Sequence, residues 1–287
     1  MEPQELITVA RRGARADVPK RPRIGVVKFA SCDGCQLTLL DLEDELLAVA
    51  ERVDLIEFAE ATSRRSMGPF DVLFVEGSIS TEEQVEEIAR LRAVSHRLIT
   101  IGACATAGGI QAIRNWFDLD EVRDTVYPEP TFVESLAQAR PVSDFVAVDG
   151  ELRGCPISPA QLREFLVALV TGRRAQLPDE AVCLECKRQG VVCVAVAGGI
   201  PCLGPVTRTG CGAICPAYGR GCYGCFGPRE SANTASLASW FSDSRSAPEV
   251  SRLFSGFTAW SAPFRTTIDA HGGPPGQLVE RTEPEDA

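Results

Sequence analysis

The sequence predicts an α/β fold, a flavodoxin-like open parallel sheet followed by a small, irregular cysteine-rich domain, and three observations carry that prediction. Short apolar runs alternate with helical stretches through the first half of the chain. Four cysteines fall just after three of those runs. A later stretch, Cys183 to Cys225, packs eight more cysteines and nine glycines into 43 residues. The expected partition is an arm over residues 1–22, a sheet domain over 23–175 and a cysteine-rich domain over 176–287.

Residues 1–23 hold six basic and three acidic side chains among prolines and read as a loose arm. The run Ile24 to Ala30, IGVVKFA, has the continuous apolar character of a strand buried on both faces. A leucine-rich helix is expected over 36–51. Further strands are expected over 54–60, 71–77, 97–103 and 144–150. Ser80 and Glu83 suggest a capping box for a helix reaching Ser95, with Val85, Ile88 and Ala89 inward. Ser158, Pro159 and Gln161 open another helix that closes near Gly172. Beyond Pro228, short helices are expected over 233–242 and 247–257. Trp240, Phe241, Phe254, Phe257, Trp260 and Phe264 would give them an apolar face. The closing GQLVERTEPEDA carries four acids and one arginine and should be mobile.

Strands and helices in this alternation build a sheet whose ligands sit beyond the carboxyl ends of its strands. Cys32 and Cys35 follow the first strand, Cys104 the fourth and Cys155 the fifth, with Glu76 ending the third on the same rim. Thiols as far apart as residues 32 and 155 should therefore converge. A flavin phosphate would compete for this location, but the loop after the first strand reads SCDGCQ and lacks the hydroxyls of a phosphate cradle. No glycine-rich nucleotide loop follows a predicted strand, and no G-x4-G-K-S/T sequence occurs.

Eight thiols in 43 residues cannot all be core side chains, because the segment has little bulk to bury them. Cys183 with Cys186, and Cys222 with Cys225, have the C-x2-C spacing by which one turn of chain offers two sulfurs to one metal or cluster. Cys211 and Cys215 stand four apart, with Pro216 after the second, and Cys202 precedes Leu-Gly-Pro. Proline after a ligand turns the chain away from the site, a habit of iron-sulfur loops. Glycines let backbone amides approach an anionic cluster closely. The window is basic, with Lys187, Arg188, Arg208 and Arg220 against the lone acid Glu185, in a chain of net charge −10.

At 287 residues and 45% hydrophobic content, the chain has enough apolar material for a normal core. Arg11 and Arg12 raise the possibility of a twin-arginine export signal, but no apolar segment follows them. No run approaches the ~18 apolar residues of a membrane span. The expectation is a cytoplasmic protein whose thiols stay reduced and free to bind metal. Net acidity speaks against nucleic acid as partner.

The motifs CDGC at Cys32, VEGSI at Val75, GACAT at Gly102, GCP at Gly154 and the block ending GCYGCFGP resemble, in this order, the small subunit of nickel-iron hydrogenases. The resemblance covers nearly all of residues 23–228. It implies three clusters in a line, from a proximal one beside the nickel-iron centre of a separate large subunit to a distal one near an electron acceptor. Carried over by position, Cys32, Cys35, Cys104 and Cys155 would hold the proximal cluster. Cys183, Cys186, Cys193 and Cys202 would hold the distal one, and Cys211, Cys215, Cys222 and Cys225 the medial one. Exported members have histidine at the position of Cys183 and proline at that of Cys215. With cysteine at both, three 4Fe-4S clusters are implied, as in the cytoplasmic bidirectional branch that also includes sulfhydrogenase delta-like subunits. Its partners would be the large subunit, a diaphorase subunit with FAD reacting with NAD(P), and an iron-sulfur subunit.

Alternatives are weighed against this. Structural zinc suits C-x2-C pairs but leaves the four upstream cysteines without a purpose. Exchange of a ligand between medial and distal sets would involve Cys202 or Cys215. A free-standing ferredoxin-like carrier and a complex I-like quinone-reductase subunit are the rival functions; the latter has adjacent cysteines in place of CDGC and lacks the later block. Glu76 reads either as a carboxylate capping loop amides or as a group beside the proximal cluster or at the subunit interface. His96 and His271 read as surface residues, Trp116 and Phe117 as core. Arg208 and Arg220 read as cluster counter-charges or plain surface.

Overall fold

The computed structural model describes residues 21–274. The expected arm up to residue 20 and the expected acidic tail lie outside the described residues. Five strands, β1 (Arg23–Lys28), β2 (Asp54–Phe58), β3 (Phe70–Glu76), β4 (Ser95–Ile101) and β5 (Gly150–Leu152), form one sheet in the order β2-β1-β3-β4-β5. All pairings are parallel. This is the flavodoxin-like order, as expected.

The helices are α1 (Gly34–Leu40), α2 (Asp44–Ala50), α3 (Glu82–Ala93), α4 (Gly102–Ala107), α5 (Leu119–Val126), α6 (Pro159–Thr171), α7 (Val182–Arg188), α8 (Val194–Gly198), α9 (Ile214–Ala217), α10 (Thr234–Ser242), α11 (Ala247–Phe254) and α12 (Ala262–Ala270). Period-two alternation sends Val72 and Phe74 to one face of β3, where they join Leu39, Leu162 and Leu166. Leu73 and Val75 face the other side and meet Ile88, Leu91 and Val142. Each such side chain contributes about 1.5–3 kcal/mol by leaving water. Both faces are therefore covered, as a parallel sheet requires.

Several expected boundaries moved. The helix expected over 36–51 is two, because the chain turns at Asp41–Glu43 and Glu43 takes a positive φ of 47°. The cap of α3 is one residue later than expected. Thr81 accepts from the Gln84 amide at 3.3 Å, while the Gln84 side chain accepts from the Ser80 amide at 2.7 Å. Leu91, not Ala89, is the second buried residue of that helix. The fifth strand begins at Gly150 instead of Asp144. Residues Val142–Asp144 form a 3-10 turn that lets Phe145, Val146 and Val148 pack over the sheet face, and pairing with β4 starts only at Gly150. His96 lies exposed on β4 and does not end a helix. The helix from Pro159 is as expected: Ser158 accepts from the Gln161 amide and Gly172 ends it in the left-handed region.

After α6 regular structure thins. Helices α10, α11 and α12 pack as a trio around Phe241, Phe254 and Phe264, whereas Trp240 and Phe257 stand largely exposed. Trp116 bridges this trio to the sheet region, edge-on to Trp260 and donating from Nε1 to Asp269 at 2.7 Å.

Candidate iron-sulfur centres

The loops after β1, β3, β4 and β5 meet at one rim because backbone bonds knit them together. Ala30 pairs with Ser78, and the Ala103 amide donates to Gly154 O at 2.7 Å. Gln111 Nε2 donates to Ala30 O. Cys32 and Cys35 flank the turn into α1, Cys104 sits on α4 and Cys155 lies three residues past β5. The four thiols are close enough for their thiolates to repel: Cys35 feels Cys104 and Cys155, Cys104 feels Cys155 and Cys32, and Cys155 feels Cys32. Burial first, then charged neighbours (Glu76 ahead of the thiols for Cys35), pushes the Cys104 thiol up to about 11 and the Cys35 and Cys155 thiols up as well.

Two glycines keep this space open. A Cβ on Gly102, whose φ is +84°, would stand 2.4 Å from Cys35 Sγ, and one on Gly109, at φ +70°, 2.6 Å from Cys104 Sγ. Both are therefore restricted to glycine by the thiols themselves. Glu76 ends β3 beneath the set, 2% exposed. Its Oε1 accepts from the Cys35 amide at 3.1 Å, while Oε2 is buried without a hydrogen bond. Burial raises its pKa against the opposing effect of the Cys35 and Gln36 donors.

The eight later thiols lie close to one another, four of them in one small buried cluster. Cys183 feels Cys202, Cys186 and Cys193, and Cys186 feels Cys202 and Cys193. Cys225 feels Cys211, Cys155 and Cys215, and Cys222 feels Cys202 ahead of Cys225. Burial pushes Cys183 to about 11 and Cys225 to about 12, and raises Cys222 also. Two contacts to sulfur join these thiols to one another and to Cys155. The Cys222 amide donates to Cys202 Sγ at 3.2 Å, and Cys225 takes a backbone hydrogen bond from Cys155.

Among the described residues, no three His, Cys, Asp or Glu side chains stand close enough to hold a single metal ion. Donor sets made of thiols, with glycine at 102 and 109 keeping space beside the first of them, fit iron-sulfur clusters. His271 Nδ1 lies 2.8 Å from Thr267 O and, like His96, takes no part in these groups. Arg208 pairs with Asp179 at 2.7 Å and Arg220 is exposed. Sequence reasoning gave no role to Gln111, which meets Cys104 Sγ at 3.7 Å, or to Glu185, whose carboxylate receives the Gly210, Gly212 and Ala213 amides. The isolation of Glu185 as the only acid in a basic window was the available signal for it.

Comparison with known proteins agrees with this geometry. The family described as NADH ubiquinone oxidoreductase, 20 Kd subunit, matches residues 32–169, which include the first four thiols. The delta subunit of sulfhydrogenase 2 from Pyrococcus furiosus is 36% identical over 238 residues, 83% of this chain and 100% of that protein. A subunit of the vhu F420-non-reducing hydrogenase from Methanocaldococcus jannaschii is 31% identical, across 71% of this chain and 81% of its own. A crystal structure of NAD+-reducing NiFe-hydrogenase in the H2-reduced state has a chain that superposes with a TM-score of 0.52 at 28% identity, covering 55% of this chain and 96% of that one. Extent of match, sheet order and cysteine arrangement together make this chain a member of the family of small, electron-transferring subunits of nickel-iron hydrogenases.

Proposed function

We propose that the chain relays electrons singly through three 4Fe-4S clusters, between the nickel-iron centre of a large subunit and a cytoplasmic partner assembly that carries FAD and an iron-sulfur subunit and reacts with NAD(P). Cys32, Cys35, Cys104 and Cys155 would hold the proximal cluster, Cys211, Cys215, Cys222 and Cys225 the medial one, and Cys183, Cys186, Cys193 and Cys202 the distal one. When bound, such clusters supply one-electron redox chemistry; the chain contributes spacing, hydrogen bonds to sulfur and low dielectric. The partition into residues 1–22, 23–175 and 176–287 belongs to this reading, with the first cluster on the sheet region and the other two beyond it.

The observation that carries it is the pair of contacts between groups. Cys155 lies against Cys225, and the Cys222 amide lies on Cys202 Sγ, which supports a row of three quartets in the order proximal, medial, distal. At one end Cys32 is exposed, with Leu37 and Ile110 exposed beside its group, an apolar rim suited to the large subunit. At the other end Cys193 is exposed between the exposed side chains of Val192 and Val196, which suits a redox partner. The NAD(P) acceptor is supported by the likeness to a NAD+-reducing hydrogenase. No helix among the described residues is long and apolar enough to cross a membrane. Glu76 would fix the Cys35 loop through its amide and place a carboxyl beside the proximal cluster.

Iron and acid-labile sulfide analysis with EPR on anaerobically prepared complex tests the reading. About 12 iron per chain is expected. About eight would remove one cluster, and zinc in place of iron would end the proposal. Cys215→Pro should convert the medial site to a three-iron form with an EPR signal in the oxidised state; an unchanged four-iron spectrum would refute the ligand set.

A further inference from the structure

Glu185 lies between two thiols of one group and reaches into the other. It stands on α7 between Cys183 and Cys186, yet its carboxylate points to the loop that presents Cys211. Oε1 accepts from the Gly210 and Gly212 amides at 3.1 and 3.2 Å, and Oε2 from the Ala213 amide at 3.1 Å. Cys211 Sγ is 3.9 Å from Oε2. Gly210, Gly212 and Ala213 all have positive φ, of 143°, 69° and 50°. Convergent amides in such a turn form a concave anion site. Cluster sulfides would normally attract such amides; here a fixed carboxylate accepts from all three, and only the Ala213 amide is shared with the Cys211 thiol. Ala213 is fully buried, so water does not replace the carboxylate there.

We propose that Glu185 is a positioning residue that locks the Cys211 loop to α7 and holds the medial cluster at a lower reduction potential than the same four cysteines would otherwise give it. Two effects act in the same direction. Negative charge beside a ligand sulfur disfavours adding an electron, and the Gly210 and Gly212 amides engaged by the carboxylate are withheld from sulfur, where their hydrogen bonds would favour reduction. Burial followed by the Glu185 charge also raises the Cys211 thiol, in keeping with that proximity.

The inference rests on the medial ligand set proposed above, and its test is an EPR-monitored redox titration of the intact complex. Glu185→Gln should raise the medial potential by on the order of 60 mV, tenfold in the one-electron equilibrium. The distal potential should move less and the proximal one not at all. Glu185→Asp keeps the charge but draws it back from the loop, and should give a smaller rise of the same sign. An unmoved medial potential in Glu185→Gln, or an equal shift at all three clusters, would overturn the proposal. If Glu185→Gln loses about four iron, the Asp variant decides, and its unmoved medial potential would overturn it. A wild-type complex lacking any medial cluster would instead sink the ligand set, a failure read from iron content before any variant is made.

Discussion

The two cysteine-bearing regions reach the same kind of site by opposite routes. In the sheet region, four thiols separated by up to 123 positions, from residue 32 to residue 155, are brought together by strands packed between two apolar cores. Its two apolar cores contain one cysteine, Cys35. In the later region, eight thiols sit within 43 residues, on short helices and turns. Its own small cluster consists of Val182, Cys202, Ala213 and Cys222, with Cys186, Val194, Ala195 and Cys211 against it. Half of those residues are cysteines, so sulfur replaces the hydrocarbon that a segment this poor in bulk lacks. One region builds a platform and adds a site; the other joins the aromatic helices through Leu203 and Val206, and elsewhere leans on its cysteines for a core.

The largest expected effect follows directly. Chain freed of iron should keep slow amide exchange in β1, β3 and β4, while protection across residues 182–225 falls at least about a thousandfold, because metal binding there supplies folding free energy. Equal loss in both regions, by hydrogen exchange with mass spectrometry, would break the contrast.

A second substitution acts on the preformed site alone. Gly102→Ala forces a Cβ to within 2.4 Å of Cys35 Sγ and asks alanine to take φ +84°. The left-handed backbone by itself costs about 1–2 kcal/mol. Iron should fall by about four per chain, with the EPR signals of the other two clusters retained. Loss of all iron would mean that the regions are not independent.

The smallest effect concerns the segment leading from α6 towards the cysteine-rich region. Glu164 accepts from both terminal nitrogens of Arg173, at 2.6 and 2.7 Å, and from the Gln176 amide at 2.9 Å. These donors, Arg173 foremost, hold its carboxyl down at about 2. A depressed carboxyl stabilises the fold above its ordinary value of 4.5 and loses that contribution as pH falls from there towards about 2. Glu164→Gln should therefore lower Tm at pH 7 by about 2 °C or less, since the pair is open to solvent. The difference from wild type should vanish near pH 2; a difference that persists there would assign the effect to packing.

How much of this was legible depended on the range of the interaction. Strands β1 to β4 were found within about two residues because a run such as VVKF or LFVE states its own burial. The break at Asp41–Glu43 was not, since leucines continue across it and only packing of α1 and α2 as separate pieces turns the chain there. Strand β5 was misread for a related reason. Residues 144–150 have strand-like composition, but Asp149 accepts from the Leu98 amide and from Arg92, which anchors the chain at the entrance to β5. The rim thiols were readable from fold logic. Glu185 was visible only as an odd charge, because nothing local tells an acid which loop it will reach.

Local chemistry in the sequence determined the α/β alternation, the positions of the cysteines after the strands and the need of the later block for a bound group. Each follows from periodicity, spacing or residue type, which act over a few positions. Only the tertiary structure decided which of the later thiols lie beside one another and which of them meets Cys155. Gly221 passes so close to Pro201 that a Cβ would fall 1.7 Å from its carbonyl oxygen, and this approach sets the Cys222 amide on Cys202 Sγ. The approach of Gly221 to Pro201 joins residues twenty apart through backbone alone, and backbone contacts of that kind leave no side-chain pattern to read in advance.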